Sequence, residues 1–124
     1  MNVKIDTREK FHVVTLMDGT LSANMTAELT PRLLELLQNP VKNVVMNMKA
    51  VNVIESAAAE ELVKTQQTFY ENDSSFVICE LTEAAEKMLG ESELLEIMNT
   101  TPTESEAWDI VQMEEIEREF LDDL

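Results

Sequence analysis

The run from Asn43 to Lys64, NVVMNMKAVNVIESAAAEELVK, constrains the fold more than any other stretch. Val44, Val45, Met46 and Met48 read as a strand, Val51, Val53 and Ile54 as a short apolar connection, and Glu55-Ser56 as the opening of a helix. Ser56 is the expected N-cap, because its hydroxyl can accept from an orphan N–H of the first turn. The helix formers Ala57, Ala58, Ala59, Glu60, Glu61 and Leu62 follow it. A helix start carries unpaired N–H groups and a partial positive charge, so it favours an anion or a partner's acceptor. A strand feeding such a start is where α/β proteins commonly place function, but that alone does not say which function.

Around this unit the chain alternates strand and helix patterns. Val3 and Ile5 alternate with Lys4 and Asp6 as a half-buried strand, and Phe11–Met17 (FHVVTLM) is a second strand after a polar turn at Arg8-Glu9-Lys10. Asp18-Gly19-Thr20 makes a turn in which Gly19 is expected to supply an unusual backbone angle. Helix one is expected from about Asn24 to Gln38, with Leu29, Leu33, Leu36 and Leu37 on one face. Pro31 argues that its regular part starts near Thr30, since proline suits a first turn and not a helix interior.

Helix two turns Ala58, Leu62, Phe69 and Tyr70 inward and closes at Glu71-Asn72-Asp73. The strand SFVICEL (75–81) follows. Thr82 caps a helix with apolar positions Ala84, Ala85, Met88 and Leu89, and Gly90 stops it. Leu94–Met98 reads as a short edge strand. Thr103-Glu104-Ser105-Glu106 is a capping box opening the last helix. The order is β-β-α-β-α-β-α-(β)-α, an α/β fold with a mixed sheet of four to five strands.

A length of 124 residues suits one domain and allows about two thirds of the unfolded surface to be buried. No stretch has the ~18 uncharged apolar residues of a membrane span, and MNVKIDTREKF lacks a signal-peptide core, so a cytoplasmic location is expected. Two glycines and three prolines leave no room for a P-loop or a GxGxxG turn, and no cofactor is expected. Cys79 is the only cysteine, which excludes an intrachain disulfide and a cysteine zinc cluster; within FVICEL it reads as a core residue. His12, the only histidine, has no Cys or acidic partner at ligand spacing and reads as an exposed strand residue.

The net charge of −16 lies almost wholly in the second half. Residues 1–54 hold six bases against five acids, a net +1, whereas residues 55–124 hold three bases against twenty acids, a net −17. Nucleic acids and anionic membranes, which are bound through basic patches, are disfavoured as partners. The charge suits either a solvated acidic face or steering toward a basic partner.

Met17-Asp18-Gly19-Thr20-Leu21, NVVMNMKAVNVIESAAA, FVICEL and TTPTESEAWDIV, in this order and spacing, resemble the STAS domain family of anti-sigma-factor antagonists. The family pattern is an apolar strand ending in Gly-x-Leu, an apolar strand continuing into Asp-Ser-Ser/Thr-Gly, and a closing Thr-x-x-Glu-Ala helix start. The likeness covers about residues 1–113. It implies a five-strand sheet with four helices packed mainly on one side, and a bacterial signalling module in transcription control that binds protein without enzymatic activity. Residues 114–124 then form an acidic helical extension.

In that family the antagonist docks on a serine kinase that also inhibits a sigma factor. The kinase phosphorylates the second hydroxyl residue of the Asp-Ser-Ser/Thr-Gly turn, and the added charge releases the complex. The resemblance places partner contacts at Gly19, Thr20, Leu21, Glu55, Ser56, Ala57, Ala58 and Glu61.

This chain departs from the pattern at the switch itself. Glu55 stands for the aspartate, Ser56 matches the first serine, Ala57 occupies the phosphoacceptor position and Ala58 replaces the glycine; Asn47 replaces an aspartate often found on the preceding strand. Alanine cannot accept phosphate. Three readings stay open: binding without phosphoregulation, Ser56 as a displaced acceptor, or a small subunit or scaffold of another cytoplasmic assembly such as a transport ATPase.

An enzyme built on the acidic half is the competing class. Glu60-Glu61 and Glu114-Glu115 are sequence neighbours and point apart on a helix, unlike paired catalytic carboxylates, and no histidine or metal-ligand set accompanies them. At the C-terminus Met113, Ile116, Phe120 and Leu124 form an apolar stripe. It is expected either to cover the domain's own body or to form a homodimer through the C-terminal helix, with the last turn frayed when unpartnered.

Overall fold

The computed structural model describes residues 1–122. Strands β1 (Val3–Thr7) and β2 (Phe11–Leu16) form an antiparallel hairpin, closed by the Arg8 N–H donating to the Phe11 carbonyl at 2.8 Å. β4 (Asn43–Asn47) pairs parallel with β2, β6 (Phe76–Cys79) with β4, and the two-residue β7 (Thr100–Thr101) with β6. The sheet order is β1-β2-β4-β6-β7, and a separate two-strand ladder joins β3 (Thr20–Leu21) to β5 (Val53–Ile54). All five residues of β4 are buried, as parallel strands covered on both faces require.

Alternation along β4 and β6 feeds two cores. Val44, Met46, Phe76 and Ile78 point into the larger one, with α1 (Ala23–Glu35), α2 (Ser56–Glu71) and α3 (Glu83–Glu91) supplying Leu29, Leu33, Leu62, Phe69 and Leu89. Val45, Val77 and Cys79 point to the opposite face, where α4 (Glu104–Asp122) lays down Ala107 and Val111. Phe11 and Trp108 close that smaller core with ring centroids 4.9 Å apart. Three helices therefore share one side of the sheet and α4 alone covers the other.

Several local expectations are corrected. Helix α1 starts well before Pro31: Ser22 Oγ accepts from the Met25 N–H at 3.2 Å, and Pro31 sits inside the helix on its exposed side. Burial of Thr26, Leu29 and Leu33 overrides proline's local penalty of about 3 kcal/mol. Gly19 has no positive φ and Gly90 lies within α3; the left-handed residues are Asp73, Glu80 and Glu93. Within α3, Ala84 and Met88 face solvent. Leu95–Ile97 form a 3-10 turn, so the edge strand falls at Thr100–Thr101 instead of Leu94–Met98.

His12 is not exposed but buried at 3 %. β2 has strands on both sides and cores on both faces, so an outward polar position does not exist there. The Val41 carbonyl can only accept, so His12 Nε2 donates to it at 2.8 Å, leaving Nδ1 to accept from Thr7 Oγ1 at 2.9 Å. Cys79 is fully buried, and its thiol is pushed up to about 12 by burial, with Glu104 and Glu80 adding to the shift. Such a thiol lacks the thiolate a reactive cysteine needs.

Candidate partner-docking site

The entrance of α2 is assembled from two segments about thirty residues apart in the chain. The Gly19 carbonyl accepts from the N–H groups of Asn52 (2.8 Å) and Val53 (3.1 Å), and the Leu21 carbonyl accepts from the Glu55 N–H (3.0 Å). These bonds zip β3 to β5 and bring Gly19, Thr20 and Leu21 against the residues that open α2. A Cβ on Gly19 would meet only the Ala50 carbonyl at 4.0 Å, so glycine is not demanded there by space.

Ser56 is not the N-cap. Glu55 holds that position in an extended conformation and makes no side-chain bond to its own helix. Its carboxylate instead accepts from the Ala23 N–H at 2.8 Å, at the first residue of α1. The starts of α1 and α2 are thereby tied side by side, with one acid serving the positive end of the neighbouring helix. The first i→i−4 bond of α2 runs from the Ala59 N–H to the Glu55 carbonyl at 2.9 Å, so Ser56, Ala57 and Ala58 present N–H groups without intrahelical acceptors.

Exposure divides the expected contact residues. Gly19, Thr20, Glu55, Ser56 and Ala57 face solvent, and Glu61 is half-buried one turn below Ala57. Leu21 and Ala58 are fully buried and shape the site from beneath. Val53, exposed beside Thr20 in the β3–β5 ladder, and Met17 add apolar surface; the sequence reading placed Val53 in an apolar connection and Met17 at the end of a strand, and gave neither a contact role. No local pattern distinguishes an exposed valine from a buried one in so short a ladder.

Asn47 lies at the carboxyl end of β4, where its Nδ2 donates to Glu104 Oε1 at 3.1 Å and its Oδ1 accepts from the Lys49 N–H at 3.0 Å. An aspartate there would face the Glu104 carboxylate, which gives the asparagine a physical reason. Thr82 Oγ1 accepts from the Ala85 N–H and donates to the Val51 carbonyl, pinning the loop before β5. Thr103 Oγ1 accepts from the Glu106 N–H, but the Glu106 carboxylate turns to Thr101, so only half of the expected capping box forms.

The site offers backbone donors, a neutral patch at Ser56-Ala57, the exposed hydroxyls of Thr20 and Ser56, and the carboxylates of Glu55 and Glu61 at its edge. Among the described residues no group of His, Cys, Asp or Glu could hold a metal ion. No helix among them is long and apolar enough to cross a membrane.

The family model described as "STAS domain" matches residues 2–107. The chain belongs to the STAS domain family. No curated protein matches it. Among solved structures it is similar to an anti-sigma factor antagonist from Mycobacterium paratuberculosis, at 15 % identity over 90 % of this chain and 93 % of that one, with a TM-score of 0.75. A serine-to-glutamate variant of RsbS from Moorella thermoacetica gives 19 % identity over 90 % and 96 %, with a TM-score of 0.72. The Bacillus cell fate determinant SpoIIAA in its phosphorylated form gives 16 % identity over 89 % and 99 %, with a TM-score of 0.64. At such identities these likenesses carry the STAS fold, a five-strand mixed sheet with four helices.

Proposed function

We propose that this STAS domain is a non-enzymatic interaction module of the anti-sigma-factor antagonist kind, working in bacterial cytoplasmic signalling that controls transcription. It binds an anti-sigma factor or serine-kinase-type partner through the start of α2, using Gly19, Thr20, Glu55, Ser56, Ala57 and Glu61. The observation that carries this reading is the exposed, neutral entrance at Ser56-Ala57, held rigid by the Glu55–Ala23 bond.

Ala57 has no hydroxyl, so the complex forms without the release that a phosphate at that position would give. A dianionic group in a packed interface brings repulsion and desolvation, and this chain omits it. Ser56, exposed and not engaged as a cap, is the hydroxyl at the opening of α2 that a kinase could reach; Thr20 carries a second exposed hydroxyl, on the neighbouring β3.

Affinity capture from the source cells, with mass spectrometry scoring partners and phosphate on Ser56, tests the reading. Recovery of an anti-sigma factor or a related ATPase, lost or weakened at least tenfold by Ser56→Asp, is expected. Recovery of neither, or unchanged affinity of Ser56→Asp, would move the function or the interface elsewhere.

A small subunit or scaffold of another cytoplasmic assembly, such as a transport ATPase complex, is the second reading. It is favoured by a further exposed apolar surface on α4. A homodimer through α4 would set two acidic helices against each other, which weighs toward a different protein as the partner.

A further inference from the structure

The distal half of α4 is built inside out. A surface helix ordinarily turns its apolar stripe to the core and its charges to water. Here Ala107 and Val111 obey that rule, but the following turns do not. Glu114 accepts from the Tyr70 O–H at 2.7 Å, and Asn43 Nδ2 donates to Glu115 Oε1 at 2.6 Å. Arg118 donates to Ser75 Oγ at 3.2 Å and to Asn43 Oδ1 at 3.4 Å. Polar side chains thus attach this half to the domain, and Met113, Ile116 and Phe120 stand outward, exposed by 53, 65 and 67 %.

Spacings of three and four put those three residues on one stripe, opposite the buried face. Single exposed apolar residues need no explanation, but a continuous stripe on one helix marks an interaction surface. Its borders are acidic: Glu117 flanks it on one side and Glu119 on the other. Arg118, the only base in the described part of the helix, is turned inward and neutralises neither.

We propose that Met113, Ile116 and Phe120, between Glu117 and Glu119, dock an amphipathic helix of another protein whose apolar stripe is bordered by Lys and Arg. Helix-on-helix docking uses anchors at this spacing, and flanking charges set the choice of partner. A second copy of this chain would place acidic borders against acidic borders, with −17 on residues 55–124 of each copy. The inference does not rest on the role of the α2 entrance, and either can fail alone.

The probe is a labelled amphipathic Leu/Lys peptide of about 18 residues, long enough to fold on contact, titrated by fluorescence anisotropy into the full chain. The comparison is the double variant Ile116→Ser/Phe120→Ser, which keeps every charge and alters only exposed positions. Binding to the unaltered chain, at least tenfold weaker to the double variant and weakened by salt, is expected, together with no binding of the matching Leu/Glu peptide. Equal binding to both chains would mean general attraction to acid and would overturn the proposal. So would absence of binding to the unaltered chain, or a dimer of the free chain that the double variant dissolves, which would make a second copy the occupant. An unchanged unfolding midpoint for the double variant verifies that its fold is kept.

Discussion

Glu55 carries more of the site's architecture than its place at the opening of α2 suggests. Its carboxylate ends on a neighbouring helix, so Glu55→Ala leaves the Ala23 N–H without that partner. The expected cost is about 1 kcal/mol, read as a lower denaturant midpoint, and an unchanged midpoint would remove the strut from the account.

Tyr70 offers a residue-scale test of how α4 is attached. Burial, then the hydrogen bond to Glu114 and its charge, hold the phenol well above its usual range. A native pKa above the unfolded value means the contribution is fully present below pH ~10 and is lost as pH rises from there. The buried Cys79 thiol has the same sign and begins to act from its ordinary value of 9.0. Stability should therefore fall on going from neutral to strongly alkaline solution, and Tyr70→Phe should make that fall smaller while lowering stability at neutral pH. An identical pH slope for both chains would contradict this attachment.

At the scale of elements, α4 works as two halves with different physics. Val111 fills the small core under the sheet, so Val111→Ala should cost about 2 kcal/mol of unfolding free energy. Ile116→Ser, on the outward stripe, should change it by less than about 0.5 kcal/mol. Comparable losses in the two variants would mean that the distal half packs on the domain after all.

The central strand-to-helix unit and the Thr82 and Thr103 caps could be read from the sequence because their signals are local: an apolar run, then a hydroxyl beside a first turn. What escaped depends on partners distant in sequence. His12 is buried because β4 arrives beside β2, and Pro31 sits mid-helix because Leu29 and Leu33 have a core to enter. The Glu55 carboxylate finds an acceptor's role thirty-two residues away, and the stripe of α4 faces outward because Tyr70, Asn43 and Ser75 claim its polar side. Periodicity reveals a stripe but not which side of the helix meets the protein.

For the molecule as a whole, a rigid sheet presents two surfaces of different character. The entrance of α2 is small, polar in its backbone and neutral at Ala57, while the outer side of α4 is apolar with acidic borders. Leu124, expected at the end of the stripe, and the frayed last turn lie partly outside the described residues. The excess of acid over base lies in residues 55–124, which hold α4 and the opening of α2, so association with a basic partner should slow as ionic strength rises.

The most direct test is amide hydrogen exchange on the chain alone and in complex with the protein partner that affinity capture recovers. The account predicts new protection at residues 19–25 and 53–61, persisting after incubation with ATP because Ala57 offers no hydroxyl. Unaltered exchange through both segments while the partner is bound would contradict it.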